Sequence, residues 1–93
     1  MPRVPSAAAA HIGGLIAAAR REAGMTQDQV AVASDIDSSN VRAYEGGRAM
    51  PSVQSLVRIA EVLDVEPGAL LRGVTSALFA ATAEDGRRRR TAG

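Results

Sequence analysis

The chemically capable side chains of this chain are few, and they are poorly suited to making or breaking bonds. There is no cysteine, which removes thiol catalysis, iron–sulfur clusters and disulfides together. His11 is the single histidine and has no partners from which a zinc site could be built. No nucleophile stands in a pattern that pairs it with a base. Gly13-Gly14 falls inside a helical pattern and lacks the strand that must precede a dinucleotide-binding loop. No enzymatic activity and no cofactor are therefore expected. What remains is a series of hydrogen-bonding groups between Thr26 and Arg48: Gln27, Ser38, Ser39, Asn40, Arg42 and Arg48.

The elements that must position these groups can be read from cap signals. Thr26-Gln27-Asp28-Gln29 fits a capping box, and Met25 with Val30 forms a hydrophobic staple across it. Asp37 caps a second helix with Ile36 and Val41 as staple, and Ser52 caps another with Pro51 and Leu56. Glu66 precedes Pro67, a proline at a first helical position, with Val65 and Leu70 as staple. Upstream, Ile12, Ile16, Ala19 and Ala23 fall at helical spacing, and Gly24 is placed to end that helix. No segment alternates long enough for a strand. The pattern predicts helices over 11–23, 27–34, 38–45, 53–63 and 67–72, with a sixth over 74–84. This is an all-α, compact five-helix domain with an optional C-terminal helix. Helices 27–34 and 38–45 are joined only by Asp35-Ile36-Asp37. Two short helices on so short a turn form a helix-turn-helix unit, whose second helix can lie in the DNA major groove. The same hairpin also occurs in proteins that bind no DNA.

Ninety-three residues, 46% of them hydrophobic, suffice for one small domain. Tyr44 and Phe79 are its only aromatics, so the core must be built from Ala, Val, Ile and Leu. The net charge is +1, unevenly spread. Residues 11–72 hold six arginines against eight carboxylates, a balance of −2, and the surplus positive charge sits on Arg3 and Arg87–Arg90. That core balance argues against nucleic acid, whose partners are usually basic. The apolar stretch Ala7–Ala19 is not read as a secretion signal: His11 interrupts it, and Arg20-Arg21 follows with no small-residue cleavage site between. No run approaches the roughly 18 apolar residues of a membrane span. Residues 1–10 are read as an N-terminal arm that becomes helical through its alanines, 11–72 as the domain, 26–45 as the helix-turn-helix, 73–85 as a C-terminal helix, and 86–93 as a disordered arginine-rich tail.

From Ile12 to Leu71 the chain resembles the lambda-repressor/Cro-like family, the xenobiotic-response-element type of helix-turn-helix. The resemblance rests on Ile12-Gly13, Arg20, Thr26-Gln27-Asp28-Gln29-Val30-Ala31, Val41, Tyr44-Glu45, Gly47-Arg48, Pro51-Ser52, Leu56, Ile59-Ala60, Leu63, Val65 and Leu70. It implies a cytoplasmic, repressor-like transcriptional regulator, bacterial or phage in origin, bound to double-stranded DNA. Gln27 would then hydrogen-bond a phosphate, where a helix N-terminus also favours an anion. Ser38, Ser39 and Asn40 would reach base edges, with Arg42 and Ala43 on or beside the groove face; Asn40 could read adenine bidentately. Arg42 and Arg48 would bind phosphates, and the Gly46-Gly47 backbone would approach DNA closely. Arg20 and Glu45 would form an ion pair tying helix 1 to the end of helix 3.

Asp35 and Asp37 depart from the family, which more often carries glycine and a serine or threonine there. Their charge predicts modest affinity per monomer and a dependence on dimerisation and salt. Relatives bind as twofold dimers to half-sites roughly 34 Å apart. Leu71, Val74, Leu78 and Phe79 look surplus to the five-helix core, and either line a dimer interface or fold a sixth helix back. Phage-type repressors, controller proteins of restriction-modification systems and antitoxins are the functional neighbours of this size. An antitoxin would also bind a toxin, through 1–10 or 74–93. The rival reading is a protein-interaction module that keeps the fold without the DNA.

Overall fold

The computed structural model describes residues 6–80. They form α1 (Ala7–Glu22), α2 (Gln27–Ser34), α3 (Ser38–Glu45), α4 (Val53–Leu63), a 3-10 helix (Pro67–Leu71) and α5 (Ser76–Ala80). The sequence boundaries of α2, α3 and α4 agree with these spans, because each start is fixed by a local cap. The Thr26 hydroxyl accepts from the Gln29 N–H while the Gln29 side chain accepts from the Thr26 N–H, closing the capping box. The Ser52 hydroxyl accepts from the Ser55 N–H, and Asp37 accepts from the Ser39 N–H.

Two elements differ from expectation. α1 begins four residues before His11, because Ser6 is extended and its hydroxyl accepts from the Ala9 N–H. Ala8 and Ala9 are fully buried, so this turn belongs to the core despite its small side chains. The segment expected as a helix over 67–72 is a short 3-10 helix, Pro67–Leu71. Glu66 makes no side-chain cap bond there, and Gly68 directly follows the starting proline. The expected sixth helix is present as α5, Ser76–Ala80, with Val74 and Thr75 before it not helical; residues 81–84 and the Arg87–Arg90 run lie outside the described residues.

The core gathers Ile12 and Ile16 of α1, Val30 and Ala31 of α2, Val41 and Tyr44 of α3, Leu56, Ile59, Ala60 and Leu63 of α4, and Leu70. α3 is thereby held from behind, with α1 and α2 against it and α4 beneath α2. The approach of α1 to the end of α3 depends on Gly13. A Cβ built there would collide with the Tyr44 carbonyl oxygen and lie 3.0 Å from that of Glu45. The neighbouring Gly14 faces open space. Gly14→Ala should therefore stabilise the fold by about 1 kcal/mol through helix propensity alone, read as a rise in the thermal midpoint of roughly 5 °C.

Candidate nucleic-acid interface

The turn between α2 and α3 is closed by backbone geometry that the sequence only hinted at. Asp35 is in the left-handed region (φ 59), where glycine costs least. Its N–H donates to the Val32 carbonyl, and that of Ile36 donates to the Ala31 carbonyl. Ile36 is half-buried and turns inward, which fixes the angle at which α3 leaves.

α3 presents its polar residues outward. Ser39, Asn40 and Arg42 are exposed, Ser38 and Ala43 are half-buried, and Val41 and Tyr44 point into the core. Its first turn is organised by Asp37, whose Oδ1 accepts both the Ser39 N–H at 2.8 Å and the Ser39 hydroxyl at 2.6 Å. The hydroxyl and then the backbone N–H hold the Asp37 carboxyl below its ordinary value of 3.8. The cap's contribution to stability is thus complete above that value and is lost as pH falls through the lowered one.

The far end of α3 is anchored by the Arg20–Glu45 pair. Arg20 Nε donates to Glu45 Oε2 at 2.7 Å and a terminal nitrogen donates to Oε1 at 3.0 Å, a bidentate arrangement. The other terminal nitrogen donates to the Met25 carbonyl at 2.9 Å. Hydrogen bonding to Glu45 raises the Arg20 pKa further, against the effect of burial, so the guanidinium stays charged. The Gln27 amide joins this group by donating to Glu45 Oε1 at 3.0 Å. One amide hydrogen is thus fixed inward, leaving the other available at the N-terminus of α2, where an anion is favoured.

Several connections have no counterpart in the sequence analysis. Arg42 pairs with Asp28 across α2 and α3 at 2.9 Å, both side chains being exposed. An exposed pair of this kind adds little stability; its effect is to hold the guanidinium beside the outward face. His11 Nε2 lies 2.6 Å from the Arg72 carbonyl oxygen and so tethers α1 to the segment before α5. Two of the expected site residues lie inward. Gly47, expected at a phosphate, is buried with φ 74 against Ala10 of α1, and its N–H donates to the Tyr44 carbonyl. Its role is to bring the chain back over α1, whereas Arg48 beside it is exposed. Val74 is half-buried and packs on the core, as it would if a sixth helix folds back. Leu78 is also half-buried, leaving Leu71 (40% exposed) and Phe79 (53% exposed) as the open apolar groups of this end.

The arrangement is one helix pinned at both ends, with hydroxyl, amide and guanidinium groups facing outward after a three-residue turn. The helix-turn-helix family model matches residues 16–70, more than half of the chain and all of this unit. The chain belongs to the helix-turn-helix family. Its fold is that of the lambda-repressor/Cro-like members. No curated protein gives a match. Among solved structures, this helix-turn-helix protein is similar to the crystal structure of the restriction-modification controller protein C.AhdI from Aeromonas hydrophila. The TM-score is 0.65 at 29% identity, covering 67% of this chain and 94% of that one. Among the described residues, no helix of the protein is long and apolar enough to cross a membrane.

Proposed function

We propose that this protein is a non-enzymatic, sequence-specific DNA-binding regulator of transcription, acting in the cytoplasm as a homodimer on a palindromic operator. The observation that carries this reading is α3 itself, with Ser39, Asn40 and Arg42 outward and Val41, Tyr44 and Glu45 fixed behind them. In this reading the first turn of α3 enters the major groove, Ser38, Ser39 and Asn40 meet base edges, and Arg42, near Ala43, serves the groove face or a phosphate. Gln27 and Arg48 bind the phosphates on either side. The controller role of the Aeromonas hydrophila relative favours regulation over a purely architectural role. Leu71 and Phe79, with Leu78 beside them, supply the apolar contact for a second copy.

Gln27→Ala and Arg42→Ala test this interface. Combined, they should weaken operator binding on the order of 100-fold while leaving the helical circular dichroism unchanged. Arg42→Ala alone should reduce the salt slope by about 1 if it binds a phosphate, whereas neutral Gln27 should leave it unchanged. Equal binding by wild type and double variant would remove α2 and α3 from the interface.

One observation favours a second reading, a protein-binding module. Val32 is 84% exposed and lines an open hollow with Ala31, Ile36 and Ser38, edged by Asp28, Asp35 and Asp37. An apolar patch among three carboxylates repels phosphate and suits a basic protein segment such as that of a toxin. Retention of such a partner by the Gln27→Ala/Arg42→Ala variant, with loss on Val32→Asp, would support this reading.

A further inference from the structure

Ser39 is the second residue of α3 and is exposed, yet its hydroxyl hydrogen is already engaged. It donates to Asp37 Oδ1 at 2.6 Å, a length typical of a charge-assisted bond to a carboxylate. The Ser39 N–H donates to the same oxygen at 2.8 Å, so side chain and backbone hold the carboxylate together. A serine hydroxyl has one hydrogen and two lone pairs. With the hydrogen turned toward Asp37, the lone pairs are what it offers outward.

We propose that Asp37 makes Ser39 an acceptor-only reader, so that on the strand it contacts this residue selects adenine or cytosine over guanine or thymine. The inference rests on the DNA-binding reading above and adds the chemical class of base that one residue recognises. In the major groove, adenine N6 and cytosine N4 are amino donors, whereas guanine O6 and thymine O4 are acceptors. An amino group facing Ser39 Oγ completes a hydrogen bond without disturbing Asp37. A keto oxygen at the same place meets lone pairs. It can be satisfied only if the hydroxyl turns away from Asp37, which breaks a short bond to a carboxylate. The negative charge on Asp37 acts in the same direction, since it repels a second oxygen close by. Asn40 has both donors and an acceptor in its amide, and Arg42 has donors only, so neither carries this bias.

The choice of aspartate at this cap thereby acquires a function. An aspartate caps the helix as well as a hydroxyl does. As an acceptor without a hydrogen, it also fixes the direction in which Ser39 can bond.

The test is a selection from random duplex DNA, carried out with the full chain and three variants, reading base frequencies at every enriched position. Wild type should favour adenine or cytosine by roughly fivefold at one position in each half-site, and Ser39→Ala should flatten that position alone. Asp37→Gly retains a residue accepted at helix N-caps but frees the hydroxyl, and should reduce the preference to within about twofold. Asp37→Asn keeps an acceptor and should retain the preference. Overall affinity should rise in both Asp37 variants as a charge leaves the phosphate path, so the ratio between bases is the quantity read. Ser39→Ala keeps Asp37 and its bond from the backbone N–H of residue 39, and carries the test should Asp37→Gly lose its helical signal. Guanine or thymine at the Ser39-dependent position, or an undiminished amino preference in folded Asp37→Gly, would overturn the inference. Enrichment of no sequence at all by wild type would overturn the proposed function, and this inference with it.

Discussion

Gly13→Ala is expected to lower stability by about 3 kcal/mol, the upper end of what overpacking a close contact costs. One methyl group suffices because its obstacles are the carbonyl oxygens of Tyr44 and Glu45, which are backbone atoms of α3 and cannot rotate aside. The helix must instead move away, opening the contact that fixes the end of α3. For a domain of this size the thermal midpoint should fall by roughly 15 °C, and operator affinity should fall with it as α3 loses its orientation. Gly14→Ala is the internal control, with the same substitution one residue along the same helix and the opposite sign. A Gly13→Ala protein as stable as wild type would mean that α1 does not lie against α3 as described.

Arg20→Ala is the second large effect, also about 3 kcal/mol. The side chains of Arg20 and Glu45 are only 14% and 6% exposed. Removing the guanidinium leaves a buried carboxylate with Gln27 as its remaining hydrogen-bond partner and the Met25 carbonyl without its donor. Most of the loss is thus the cost of an unpaired charge rather than the net worth of the pair. The double variant Arg20→Ala/Glu45→Ala should accordingly recover part of it, and the double-mutant cycle measures the coupling. If the single and double variants lose stability additively, the two residues do not interact. The DNA-binding consequence is separate. With Arg20 absent, Gln27 and the end of α3 lose their shared anchor, so binding should weaken even under conditions where the variant remains folded.

What was legible in the sequence was local. Thr26, Asp37 and Ser52 announce α2, α3 and α4 because a cap and its staple lie within about one helical turn of each other, and the structure keeps those bonds. At α1 the alanines before His11 read as helical, but the boundary is less legible: Ser6 caps them with no large staple residue to mark it, and the main helix is placed from His11. The 3-10 turn at Pro67 escaped because a proline start and a staple signal a helical turn without fixing its pitch or length.

The candidate site divides in the same way. The outward residues of α3 follow from its register, since Val41 and Tyr44 must face the core. The contacts that position them do not. Gln27 meets Glu45 and Asp28 meets Arg42 only through the crossing of α2 and α3, a tertiary quantity that no spacing along the chain encodes. The two aspartates of the turn, which from charge alone weigh only against DNA, acquire structural roles: one takes the left-handed turn, and the other caps α3 and orients Ser39. The resemblance places Gly47 at DNA, and its burial against Ala10 is visible only in three dimensions.

The central claim is that α3 reads an operator as part of a twofold dimer, and selection of random duplex DNA at moderate salt addresses it most directly. The account predicts a palindrome with half-sites about one helical turn, roughly 34 Å, apart, recovered by wild type and lost by Gln27→Ala/Arg42→Ala. Enrichment of nothing above non-specific background by the folded wild-type protein would contradict it, leaving the exposed Val32 hollow as the functional surface to pursue.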